Sequence, residues 1–171
     1  MVTLRATGKV LRYLQESSGP HPASDTALGD WYVNRVLVLR QPLLLVVSAL
    51  SLLPLVIRAQ NVSTLADRLP YLVSERLRRL GVAEYLVQAE ATAMVPVLVG
   101  KTVDRSVLGI LVDFAKSIPH YAAGRAELDL PYIESHLSDT PCFAGRSYDQ
   151  VIFPKKKAPE LLRAKWGTRQ Q

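Results

Sequence analysis

Two groups of polar side chains stand where apolar runs begin. Asp30, Trp31, Tyr32 and Asn34 open the long apolar run after Leu28-Gly29, and Lys101, Asp104, Arg105, Ser106 and Asp113 follow the apolar stretch Val95 to Val99. These residue types suit anion chemistry. Asp30 and Asp113 can act as acid, base or metal-binding carboxylates, and Lys101 and Arg105 near a helix start can hold an anion. If the two elements are neighbours, Asp30, Trp31, Asn34, Lys101, Arg105 and Asp113 make one polar site, with Arg105 paired to Asp30 or to a ligand. The same residues also have a structural explanation, in which Asp104 caps a helix, Arg105 neutralises Asp30 and Trp31 fills the edge of the core.

Other chemistries lack their parts. Gly100-Lys101-Thr102 resembles the end of a phosphate-binding loop, but position 95 is valine where that loop needs glycine. His21, His120, His136 and Cys142 lie in different segments without paired spacing, so neither a metal nor a cofactor is expected. Cys142 is the lone cysteine and nothing beside it stabilises a thiolate, so it reads as a small apolar residue. His21, between two prolines, reads as an exposed loop residue.

The elements that must position these groups follow from periodicity. Thr3 to Thr7 reads as a short strand, Gly8 to Gln15 as a helix and Ser17 to Thr26 as a proline-bearing loop. Trp31 to Arg40 and Leu43 to Ser48 read as adjacent strands joined at Gln41-Pro42, with Leu50 to Arg58 a short helix or a further strand. Leu43 to Ile57 is only fifteen residues, contains Ser48, Ser51 and Pro54, and is closed by arginines, whereas a membrane span needs about 20 apolar residues. Leucines spaced by three and four predict a helix from Asn61 to Leu80, kinked or divided at Pro70 and ended by Gly81. Further helices are expected over 83–91, over 107–115 with a stop at Pro119, over 131–137 and over 158–166, with a strand at 95–99 and turns over 140–154. The fold class is α+β: one globular domain over 1–154, a small sheet packed by several helices.

Charge is uneven. The chain carries a net charge of +6. Lys155, Lys156, Lys157, Arg163, Lys165 and Arg169 face a single acid, Glu160, so residues 155–171 read as a basic, partly helical tail on a nearly neutral body. That tail suits a nucleic acid or an acidic protein, with Trp166 beside the cations; attachment to a membrane surface through Trp166 is a weaker reading, and a solvated tail a plain one. The N-terminus has no apolar segment followed by a small-residue cleavage site, so a cytoplasmic setting is expected.

Leu4-x-Ala6-Thr7, Leu28-Gly29-Asp30-Trp31-Tyr32 and Arg105-Ser106-Val107-Leu108-Gly109 with Asp113 four residues on occur in this order. Together they resemble an uncharacterised family of small bacterial proteins, some plasmid-borne, classed as a domain of unknown function. The resemblance spans residues 1 to 153. It implies no activity, and it implies that the Asp30-Trp31 and Arg105-Asp113 regions act together. Where that family often has Ser-Met-Asn-Asp, this chain has Ile110-Leu111-Val112-Asp113, which removes any asparagine-dependent role.

With no complete catalytic set, the expected function is a binding module, a component of a toxin–antitoxin or defence locus that engages a protein or nucleic acid. The alternative is an enzyme acting on a phosphorylated or nucleic-acid substrate through Asp30, Arg105 and Asp113.

Overall fold

Along Val2–Ala6 (β1) apolar and polar side chains alternate, so Val2, Leu4 and Ala6 point to one face of a sheet and Thr3 and Arg5 to the other. The computed structural model describes residues 1–143 and 150–169. Here β1 pairs in parallel with Trp31–Val38 (β2) on one side and Val97–Lys101 (β5) on the other. Gln41–Ser48 (β3) and Pro54–Arg58 (β4) continue antiparallel from β2, giving the order β4-β3-β2-β1-β5. The expectation of an α+β domain with one small sheet packed by helices holds.

Helices cover both faces. Gly8–Leu11 (α1), Leu65–Arg79 (α2), Glu84–Ala93 (α3) and Pro154–Trp166 (α6) pack on the face that carries Leu4, Trp31, Val33, Leu44 and Leu55. Arg105–Ala122 (α4) and Leu130–Ser138 (α5) pack on the face that carries Tyr32, Val38, Leu43, Leu45 and Val56. Leu43 to Val47 are therefore buried from both sides, which is why this strand reads as an unbroken apolar run. A two-stranded ribbon, Cys142–Phe143 (β6) with Val151–Ile152 (β7), lies before α6. Among the described residues no helix is long and apolar enough to cross a membrane.

Several boundaries differ from expectation, each for a local reason. The β2–β3 turn is Leu39-Arg40, both at positive φ (49° and 63°), while Pro42 lies inside β3 opposite Leu37. Of the helix or strand expected over 50–58 the structure has the strand, shortened to 54–58 and entered through a turn in which the Ser48 and Ser51 hydroxyls bond at 2.7 Å. Helix α2 runs through Pro70, and α4 runs through Pro119 to Ala122, because Ile118 and Ala122 are core residues and packing outweighs one missing hydrogen bond. Residues 144–149 of the expected turn-rich stretch, and residues 170–171 of the expected tail, lie outside the described residues.

The basic tail is corrected most. Ala158 and Leu162 of α6 are fully buried and Trp166 is only 6% exposed, its Nε1 donating to Glu90 Oε2 at 2.7 Å. An amphipathic helix beside an open apolar face docks on it, so Trp166 belongs to the core rather than to an exposed tail. The cations stay on the outer side of this packed helix, and several are engaged. Lys155 pairs with Asp139 at 3.5 Å, Lys157 with Glu160 at 3.0 Å, and Lys165 Nζ donates to the Thr26 carbonyl at 3.3 Å.

Both outer strands have their free edges closed by side chains, which blocks pairing with another chain. On β4, Val56 N donates to Glu134 Oε1 at 2.9 Å and the Pro54 carbonyl accepts from Arg76 Nε at 3.1 Å. Glu134 also takes Arg79 at 2.8 Å and Arg76 at 3.4 Å, so this buried network straps α2 to α5 around the sheet edge. Burial pulls the Arg76 guanidinium below its ordinary pKa while Glu134 works against that loss. On β5, Ser17 N and Oγ bond Val99 O and N, each at 2.9 Å.

Candidate functional site

The chain leaves β1 through α1 on one face of the sheet and leaves β5 through α4 on the other. Adjacent parallel strands whose helices diverge in this way leave a crevice between their carboxyl ends, the usual place for a ligand in such sheets. Arg5 and Thr7 stand at the end of β1, Lys101 at the end of β5, and Asn34 on β2, which is paired with β1 up to Ala6–Val33.

Arg5 is the centre of this crevice. Its Nε donates to Asp30 Oδ2 at 3.1 Å, and Asp30 Oδ1 accepts from Thr3 N at 3.1 Å. Both side chains are largely buried, at 11% and 16% exposure, so the pair is shielded from solvent. Arg5 Nη1 lies 3.4 Å from the Lys101 carbonyl and 3.5 Å from His21 Nδ1, and His21 Nε2 lies 3.3 Å from the Ser17 carbonyl. Because a guanidinium only donates, this geometry suits Nδ1 accepting from Arg5 and Nε2–H donating to the Ser17 carbonyl. The His21 ring rests on Gly100, where a Cβ would come 2.4 Å from Nδ1. Gly100 thus has a purpose unrelated to phosphate: it leaves room for the imidazole.

Tyr32 closes the floor. Burial raises its pKa, with the Asp104 amide hydrogen bond opposing that rise and the charges of Asp104, Arg5 and Asp30 all acting on the phenol. Asp104 Oδ1 accepts from Ser106 N at 2.8 Å, Ser106 Oγ at 2.7 Å and Val107 N at 3.4 Å, capping α4. These bonds, the Ser106 hydroxyl first, hold the Asp104 carboxyl below its ordinary pKa. Thr7 Oγ1 donates to Asn34 Oδ1 at 2.7 Å, which fixes the mouth of the crevice.

The structure brings Asn34 and Lys101 to this end of the sheet, with Arg105 opening α4 beside them, while Asp30 stands at the amino end of β2, level with Thr3, and is linked to the Lys101 carbonyl through Arg5. The ion pair foreseen between Asp30 and Arg105 is made instead with Arg5, because Arg5 shares a sheet face with Asp30's neighbour Thr3. Trp31 is fully buried on the opposite face and is not at the mouth. Asp113 lies eight residues along α4 from Arg105, about 12 Å along the axis, and its charge acts on Cys142 instead. Arg5 and His21 were missed. Arg5 was readable as a lone cation in an apolar strand, which needs a carboxylate; His21 gave no local sign, since its neighbours come from strands distant in sequence.

Around this crevice the surface is cationic. The strand ends at this pole, and the turns that join them, come from residues 5–15, 31–61 and 100–103, which contain no Asp or Glu, and the exposed Asp104 follows as the cap of α4. They bring Lys9, Arg12, Arg35, Arg40, Arg58 and Lys101 to the rim, and Arg105 adds to it from α4. Lys101 and Arg105 are exposed, and among the described residues neither side chain has an ion-pair or hydrogen-bond partner. Unpartnered cations on a rim are available to an anion in a way that the engaged lysines of α6 are not.

Cys142 is buried, donates to the Thr140 carbonyl at 3.4 Å, and burial pushes its thiol from near 9 up to about 11, with Asp113 adding to the rise. It is a thiol at neutral pH and a poor nucleophile. Because the folded pKa is the higher one, the protein loses about 2–3 kcal/mol of stability as pH rises from about 9 to 11. Urea unfolding followed across that window should show the loss, and Cys142→Ala should remove this part of it.

No curated protein and no solved structure matches the chain. The family model described as a domain of unknown function, DUF6933, matches residues 3–157, taking in Arg5, His21, Asp30, Lys101, Arg105 and the opening of α6. The chain belongs to that family.

Proposed function

We propose that this protein is a small cytoplasmic bacterial binding module, acting within a toxin–antitoxin or defence locus, whose cationic strand-end rim engages nucleic acid. The observation that carries the reading is the excess of basic residues on the rim, with Lys101 and Arg105 exposed and unpartnered on either side of the α4-capping Asp104. Such a surface neutralises phosphates without needing a base sequence, and it gains affinity by releasing their counterions. Binding is favoured over turnover by the state of the carboxylates: both Asp30 oxygens are already engaged, and Asp113 lies on the far part of α4.

The test is fluorescence anisotropy of a labelled duplex oligonucleotide over a range of salt. Lys101→Glu/Arg105→Glu should weaken binding and lower the slope of log K against log salt by about 2, close to one unit for each phosphate no longer neutralised. Polyglutamate is the control for an acidic protein partner. Binding of the oligonucleotide that is absent at low salt, or that polyglutamate replaces fully at equal charge, would count against the nucleic-acid reading.

A further inference from the structure

The β2–β3 hairpin overhangs the end of β1. Strand pairing between β1 and β2 stops at Ala6–Val33 whereas β2 runs to Val38, five residues or about 17 Å further. One face of this overhang is covered, since Val38 and Leu43 are buried against the layer of α4 and α5. On the other face Leu44 is buried and only the distal end is bare: Leu37 is 64% and Leu39 60% exposed, with the half-buried Pro42 beside Leu37 across the ribbon.

Arginines surround these leucines. Arg35 precedes Leu37 on the same face and Arg40 shares the turn, while Arg58, the register partner of Leu43, lies on the opposite face, where it bonds Gln41 Oε1 at 2.6 Å. No Asp or Glu occurs from residue 31 to 66. The turn itself holds two side chains at positive φ, where Asn-Gly would be relaxed, so a leucine is kept at the tip against the backbone's preference.

We propose that this hairpin end docks on an anionic lipid bilayer surface. Phosphates in water would satisfy the arginines and leave the leucines exposed. A bilayer interface supplies both an anionic layer for guanidinium groups and an apolar layer beneath it for Leu37 and Leu39. The hairpin shares Arg35 and Arg40 with the cationic rim, so the two readings are separated by Leu37 and Leu39, which only a bilayer needs, and by Lys101 and Arg105, which carry the nucleic-acid reading.

The experiment is flotation of the full chain with vesicles of phosphatidylcholine, with and without phosphatidylglycerol. The protein should float with the anionic vesicles alone. Leu37→Ser/Leu39→Asn keeps every arginine and relaxes the turn, so it should melt no lower than the wild type yet bind at least about tenfold more weakly, while keeping its oligonucleotide binding. Arg35→Gln/Arg40→Gln keeps both leucines and should weaken vesicle binding by about thirtyfold. Absence of wild-type flotation, equal flotation with neutral vesicles, or unchanged binding by the leucine variant would each overturn the proposal.

Discussion

Glu90→Ala should lower stability by about 3–5 kcal/mol and the melting temperature by on the order of 10 °C, measured by urea and thermal unfolding. Glu90 has no exposed surface. Its Oε2 accepts from Ala27 N at 2.8 Å and Trp166 Nε1 at 2.7 Å, and its Oε1 accepts from Leu28 N at 3.0 Å. Truncation leaves three donors without this acceptor and opens a cavity among α3, α6 and the loop before β2. Glu90→Gln keeps the shape but puts an N–H group against one set of donors, so it should cost less, about 1–3 kcal/mol. The loop it holds leads directly into Asp30, which links this core interaction to the Arg5–Asp30 pair of the crevice. A Glu90→Ala protein as stable as the wild type would show that these three bonds contribute nothing.

Glu134→Ala should be comparably damaging, again about 3–5 kcal/mol, because it strands a buried guanidinium. Arg76 and Glu134 are 5% and 3% exposed, so the loss is little screened by water. Val56 N would lose its acceptor at the same time, and the β4 edge would open. Arg79, 43% exposed, would contribute much less to the loss. The double variant Arg76→Met/Glu134→Leu should recover part of the stability, since an apolar pair replaces an ion pair without leaving an orphan charge. If the double variant is no better than the sum of its singles, the penalty is not one of unpaired charge.

How much of the molecule was readable depends on whether the deciding interaction is local. The apolar run of β3 announced itself, because burial on two faces demands an unbroken stretch of leucine and valine. The α4 start was legible for a similar reason: Asp104 caps with bonds to Ser106 and Val107, its own sequence neighbours. Trp166 was misplaced because an amphipathic helix shows that it has an apolar face and not what covers it. The partner, Glu90, lies on another helix. The Leu39-Arg40 turn was hidden by turn chemistry that pointed to Gln41-Pro42. Asp30 was seen without its partner Arg5, and only the parallel pairing of β1 with β2 joins them.

If the strand-end rim, rather than the basic helix α6, is the anion-binding surface, two charge-reversed proteins should behave differently. These are Lys101→Glu/Arg105→Glu on the rim and Lys156→Glu/Arg163→Glu on α6, each titrated with one labelled duplex at several salt concentrations. Both variants change the net charge equally, so any difference reports position. The rim variant should lose affinity by at least about tenfold at low salt and show a shallower salt slope, while the α6 variant should stay within a few-fold of wild type. Equal losses, or a larger loss in the α6 variant, would place the anion elsewhere than on the rim.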